Sequence, residues 1–304
     1  MSAASRIRRV AFALLMAIAG AGAPDATVTD AIASDIVASE TVASESALSE
    51  ELVRARLVCD RVGIVAGGVA RLGILLDIDP GWHLFWDGCN NTGYPIQARP
   101  DFPEGFSPGE LLWPAPARLV SPGDVLDHVY ERQVLLIFPV DVAESVAPGE
   151  SVTFSCALDW VACREACVIG GADVSLRLPV LARGQSAQST PSEHAALFDQ
   201  TRTRVPELPE PGAAPYRTRW EGETLVLEAD GAKSIAFFPR SGCEALVNPL
   251  IDCAADGARL AIRVRAADHA PEPVRGVIEI KTSDAAPPRF VVLELPMSNS
   301  TATH

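Results

Sequence analysis

The sequence predicts an all-β chain: two antiparallel β-sandwich domains in tandem. Three observations carry that prediction. From Val53 onward, short apolar runs alternate with turn signals such as Asp79-Pro80-Gly81, Ser107-Pro108-Gly109, Ser121-Pro122-Gly123 and Ala147-Pro148-Gly149. Gly and Pro contribute 22 and 24 of the 304 residues, which favours many turns and few long helices. Hydrophobic residues make up 48% of the chain, enough for packed cores, and the length is a prior for about two domains.

Residues 1–23 read as a secretory signal peptide. Arg6, Arg8 and Arg9 precede the apolar run Val10–Ala19, and small residues follow at Gly20 to Ala23. That run is too short to span a hydrocarbon core of about 30 Å, and no later stretch approaches the roughly 20 apolar residues a span requires. The expected location is therefore periplasmic or secreted, where disulfides persist. Residues 24–51 carry seven acids (Asp25, Asp30, Asp35, Glu40, Glu45, Glu50, Glu51) and no Lys, Arg or aromatic residue. Charge without large side chains cannot offset ordering entropy, so this stretch is expected to be a disordered tether.

Residues 52–182 are expected to form the first sandwich, with strands at Val53–Arg61, Val69–Ile78, Val134–Val142, Ser151–Leu158 and Ala172–Pro179. Residues 183–215 shift to Gln, Ser and Pro and are expected to be a linker. A short helix over Ser192–Thr201, N-capped by Ser192, interrupts it. Residues 216–297 are expected to form the second sandwich, with strands at Arg217–Ala229, Ser234–Phe238, Arg259–Arg265, Val274–Lys281 and Arg289–Leu295, before a polar tail at 298–304. Arg259 to Arg265 alternates Arg with apolar residues at period two, the mark of a half-buried strand.

Charge narrows the function. The 25 basic and 39 acidic residues leave a net −14, with only Lys233 and Lys281 as lysines and no basic run, so a nucleic-acid partner is not expected. A Ser-His-Asp order, a Gly-rich phosphate loop and an H-E-x-x-H motif are all missing from the sequence, so hydrolase and nucleotide readings lack support, and no cofactor is expected.

The seven cysteines are Cys59, Cys89, Cys156, Cys163, Cys167, Cys243 and Cys253, an odd number that leaves at least one thiol unpaired within the chain. Cys163 and Cys167, four apart, can meet on one helical turn or in a tight loop. A bridge closing so small a loop is a poor staple and a candidate for exchange. Spacing alone leaves a structural bridge, a redox pair and a metal site open. Arg164 favours a thiolate and Glu165 opposes one, while Trp160 is placed to wall the pair. Cys59 and Cys156 either pair across the sandwich or stay as buried thiols. Cys89 is the candidate odd thiol, and a structural bridge is expected between Cys243 and Cys253. Trp82, His83, Trp86 and Trp113 are read first as packing residues.

Sequence context adds a resemblance. Asp159-Trp160-Val161-Ala162-Cys163-Arg164-Glu165-Ala166-Cys167-Val168 resembles the W-L-V-C-K-E-x-C-I-P segment of the DsbD/ScsB family of thiol:disulfide interchange proteins. Pro80-Gly81-Trp82-His83-Leu84-Phe85-Trp86 is similar to its D-P-G-W-H-x-Y-W. Thr92-Gly93-Tyr94-Pro95, Leu112-Trp113-Pro114-Ala115-Pro116 and Tyr130-Glu131 match further segments in the family's order over about residues 53–182. Residues 190–296 resemble the second β domain of ScsB-type members. The resemblance implies an immunoglobulin-like periplasmic domain whose pair, here Cys163 and Cys167, relays electrons from a membrane-embedded donor protein to thioredoxin-like or other oxidised periplasmic proteins.

The chain departs from the family pattern in three respects. Val168-Ile169 replaces I-P. Cys59, Cys89 and Cys156 map to no family position. The sequence carries neither the polytopic membrane domain nor the thioredoxin-like domain of full-length members, so reducing power is expected from a separate membrane protein. The family's protective cap suggests a shielding role for Ser121–Glu131. The alternatives to exchange are a soft-metal module, with Cu(I) held by Cys163, Cys167 and a third thiol or His83, and an adaptor with inert bridges.

Overall fold

The structure is a computed structural model that describes residues 52–182, 184, 190–210, 212–265 and 274–295. The expected signal peptide, tether and polar tail lie outside the described residues, all of which belong to the unit Ser44–His304.

The first pair of sheets uses β1 (Val53–Cys59), β2 (Ile64–Val65), β3 (Val69–Ile78), β4 (His83–Phe85), β5 (Gln97–Asp101), β6 (Phe106–Pro108), β7 (Ala117–Ser121), β8 (Val125–Glu131), β9 (Gln133–Val142), β10 (Ser151–Cys163) and β11 (Cys167–Leu181). One sheet runs β1-β3-β9-β6; the other runs β2-β11-β10-β4-β8-β7, with β5 also paired to β10. Pairing is antiparallel except for β2 with β11. Alternation along each strand sends Leu72, Ile74 and Leu76 from one sheet, and Phe154, Leu158 and Trp160 from the other, into a shared buried core. This is an immunoglobulin-like antiparallel sandwich.

The second pair uses β12 (Arg217–Glu221), β13 (Thr224–Glu228), β14 (Ser234–Ser241), β15 (Ala254–Asp256), β16 (Arg259–Arg263), β17 (Val274–Lys281) and β18 (Arg289–Leu295). A three-stranded sheet, β12-β13-β16, faces a four-stranded one, β15-β14-β17-β18, over a core containing Leu225, Leu227, Phe237, Ile262 and Ile278. The strand expected over Arg217–Ala229 is a hairpin, because Gly222 takes the left-handed conformation (φ 61°) a tight reversal needs.

Between the two lies helix α1 (Ala195–Arg202), shorter than expected. Its N-cap is His194, not Ser192. The Ser192 hydroxyl is already used: it donates to the Cys59 carbonyl (2.5 Å) and accepts from the His194 N–H. Phe198 of α1 is fully buried against Val58, Leu75, Leu135 and Ile137 on the outer face of the β1-β3-β9-β6 sheet. The sandwiches also touch directly. Phe238, Val277 and Phe290 of the second join the first core, Arg240 pairs with Asp87 (2.6 Å), and Arg118 donates to the carbonyl of Leu250 (2.8 Å) in helix α2 (Pro249–Asp252).

Candidate functional site: a disulfide at the tip of a hairpin

Strands β10 and β11 form the longest hairpin in the described residues, and Cys163 and Cys167 are its last register pair. The three residues between them make the turn, where the Arg164 N–H donates to the Ala166 carbonyl (3.1 Å). Directly opposed residues of an antiparallel pair share a face, and these two are joined in a disulfide with Cα atoms 4.1 Å apart. Tight strand reversal, not a helical turn, brings them together. Cys163 is buried (4% exposed), whereas Cys167 is exposed.

Side-chain alternation decides the neighbours. Trp160 points into the sandwich core, on the face opposite to Cys163, so it does not wall the pair. Cys163 packs instead with Phe85 and Val129, flanked by Leu119 and Val161. His83, 8% exposed, is the register partner of Cys163 on β4, and Glu131 is the partner of His83 on β8. The His83 ring sits edge-on to Phe85 (5.3 Å). Burial pushes the His83 imidazole below its ordinary 6.5, against the opposing pull of Asp127 and Glu131. The Arg164 guanidinium lies 5.2 Å from the centre of the Trp82 ring, tying the hairpin turn to the turn before β4.

The Ser121–Glu131 segment is the β7–β8 turn and β8; Val129 near its end packs against Cys163, but its turn does not cover the pair. Glu131 is level with Cys163 across the sheet, but the turn at Pro122–Asp124 lies six or more residues down β8, about 20 Å away at 3.3 Å per residue. The loop after β4 packs over Phe85, the neighbour of Cys163. Gly93 approaches Phe85 so closely that a Cβ there would lie 2.1 Å from its ring. The loop is held by buried Asp127, whose carboxylate accepts from the Asn91 N–H (2.7 Å), the Thr92 N–H (3.0 Å) and the Thr92 hydroxyl (2.7 Å). The side-chain oxygens of Asn90 and Asn91 accept in turn from the His128 and Leu126 N–H groups.

At the loop's other end, Cys89 forms a disulfide with Cys243 of the second sandwich. This overturns the expected Cys243–Cys253 bridge and the reading of Cys89 as the odd thiol. The Cys89 N–H donates to the Pro239 carbonyl (2.9 Å), which brings the loop onto β14 beside the 3-10 turn Cys243–Ala245. Cys253, at the end of α2, points into the second core and is fully buried. Cys59, Cys156 and Cys253 are free; burial pushes their thiols up to about 11, 11 and 12. They behave as core hydrophobes. Among the described residues, no cluster of three or more His, Cys, Asp and Glu side chains has the arrangement to hold a metal ion. No helix among them is long and apolar enough to cross a membrane.

Fold and site together define an antiparallel β-sandwich with a disulfide at a hairpin tip, one sulfur buried and the other facing solvent. Residues 57–179 match the family model described as thiol:disulfide interchange protein DsbD, N-terminal.

Solved structures similar to the chain include the N-terminal periplasmic domain of ScsB from Proteus mirabilis. That structure has 14% identity and a TM-score of 0.49, covering 81% of this chain and 94% of that one. The N-terminal domain of DsbD from Neisseria meningitidis in the reduced form has 14% identity and a TM-score of 0.28, covering 43% of this chain and 86% of that one. The comparison with curated proteins gives no match.

Glu131, Asp127 and the Cys89–Pro95 loop were not singled out as site residues from the sequence. His83 and Glu131 do fall inside motifs noted there, but their alignment with Cys163 depends on register across three strands.

Proposed function

We propose that the chain is an extracytoplasmic thiol:disulfide interchange protein working through Cys163 and Cys167. The observation that carries the reading is the asymmetry of the pair: Cys167 is exposed and Cys163 is buried. When the pair is reduced, the Cys167 thiolate attacks a partner disulfide and forms a mixed disulfide. Cys163, held opposite it by strand register, then displaces the partner. The partner leaves as a dithiol and the Cys163–Cys167 bridge closes. A membrane-embedded donor protein restores the reduced pair, and thioredoxin-like or other oxidised extracytoplasmic proteins accept the electrons. The match of residues 57–179 to the family model of the DsbD N-terminal domain supports this reading.

The test uses single variants of the full chain, reduced and mixed with an oxidised protein substrate on a non-reducing gel. Cys163→Ser should accumulate a mixed disulfide through Cys167, and Cys167→Ser should form none. Equal trapping by both variants, or by neither, would overturn the assignment. A redox titration gives the second check. The pair should open at a potential more oxidising than about −300 mV, below which structural disulfides typically lie.

A further inference from the structure

Four side chains stand in one row across four strands. Glu131 on β8 is opposite His83 on β4, His83 is opposite Cys163 on β10, and Cys163 is opposite Cys167 on β11. Directly opposed residues share a face, with Cβ atoms about 4.5–5.5 Å apart. The outer face therefore carries, in order, a carboxylate, an imidazole, a buried sulfur and an exposed sulfur. Exchange as described above uses only the last two.

The buried sulfur raises a chemical difficulty. Only a thiolate attacks a disulfide, and burial disfavours the thiolate. The other buried thiols of this chain show the direction of that effect. A resolving thiol in such a place is helped by a proton acceptor beside it. His83 is the register neighbour on the side away from Cys167, and it is itself nearly enclosed.

We propose that His83 accepts the proton of the Cys163 thiol as Cys163 attacks the mixed disulfide, and that Glu131 is the positioning residue that steadies the imidazolium so formed. The proposal rests on the reading of Cys163 and Cys167 as an exchanging pair. In the resolving step the Cys163 S–H proton passes to an imidazole nitrogen, and the Cys163 sulfur bonds to the Cys167 sulfur. The bond between Cys167 and the partner sulfur breaks, and the partner sulfur leaves with the electron pair and takes up a proton. Over the full cycle the pair loses two electrons and two protons, and the partner disulfide gains both. Burial holds the imidazole neutral at neutral pH, ready to accept. The charged and titratable groups around it are Glu131 and Asp127 on β8, Arg164 in the hairpin turn, and the two cysteines. Asp127 is already engaged by three donors of the Asn91–Thr92 loop, which leaves Glu131 for this role.

The experiment uses the full chain, reduced, and an aromatic disulfide that releases a coloured thiolate. Attack by Cys167 releases the first equivalent and attack by Cys163 the second. A Cys163→Ala/Cys167→Ala double variant corrects for the remaining cysteines. In His83→Phe and His83→Gln the first phase should stay within about twofold of the parent. The second should slow by about 10²-fold, the lower range for general-base catalysis, and should lose the parent's inflection on the acid side of pH 6.5. Glu131→Gln should move that inflection to lower pH. Should His83→Phe fail to fold, the polar His83→Gln variant decides the question. A second phase of parental rate and pH profile in His83→Gln would overturn the proposal while leaving the exchange reading intact. A parent chain that releases no second equivalent would overturn that reading, and this proposal with it.

Discussion

The two disulfides of this chain are built for opposite ends. Cys163–Cys167 joins residues four apart that the β10–β11 register has already brought face to face. Cys89–Cys243 joins residues 154 apart, from a loop of the first sandwich to the second. Loop-closure entropy values the first at about 2 kcal/mol and the second at about 5 kcal/mol, taking the chain-entropy account at face value. Exposure does not separate them, since Cys243 and Cys167 are both exposed. What separates them is the structure that depends on each. Opening the hairpin bridge leaves every strand pairing of β10 and β11 in place. Opening the long-range bridge removes the covalent tie between the sandwiches at one end of the loop that packs over Phe85. A short-range bridge on a preformed scaffold can open and close without unfolding anything; a long-range bridge that holds the scaffold together cannot.

The contrast should show first in stability. A Cys89→Ala/Cys243→Ala variant should lose up to about 5 kcal/mol in denaturant unfolding, whereas Cys163→Ala/Cys167→Ala should lose no more than about 2 kcal/mol. Equal losses would erase the distinction between staple and exchanging pair.

The next effect is pH-dependent. His128 donates through Nδ1 to the Cys89 carbonyl (2.6 Å), while its Nε2 is buried without a partner. Burial pushes the imidazole down to about 4 from an ordinary 6.5. The unfolded chain therefore binds the proton more tightly, and stability present above pH 6.5 is lost as pH falls towards 4. The loss is on the order of 3 kcal/mol. Unfolding followed from pH 7 to pH 4 should show that decline, and His128→Gln should flatten it. An unchanged slope in the variant would assign the decline elsewhere.

The smallest effect sharpens the comparison at the loop itself. Asp127→Ala strips three hydrogen bonds from Asn91 and Thr92 and should cost about 1–3 kcal/mol. If this loop guards the hairpin bridge, the reduced variant should also react faster with iodoacetamide than the parent. An unaltered alkylation rate would show that the loop buries Phe85 without screening the sulfurs.

Much of the fold was legible in local pattern. Pro/Gly punctuation and period-two runs located β1, β3, β9, β14, β17 and β18, because alternation and turn chemistry are properties of adjacent residues. The strands β4 to β8 were missed: β4, β5 and β6 are short and take their place by pairing with β10 or β9, and β8 and β7 then add on through β4. Trp160 was assigned to the wrong side for a related reason. Its proximity to Cys163 in sequence is real, but one residue of offset in a strand reverses the face.

The spacing Cys163-Arg-Glu-Ala-Cys167 and the family motifs around it were sufficient to single out this pair, since a four-residue separation restricts the geometry by chain length alone. The partner of Cys89, the burial of Cys253, the asymmetry between Cys163 and Cys167, and the row that sets His83 and Glu131 beside them were decided only by the tertiary structure. Each depends on which strands become neighbours and in what register. That choice is made by burying side chains distant in sequence, and no local stretch of sequence records it.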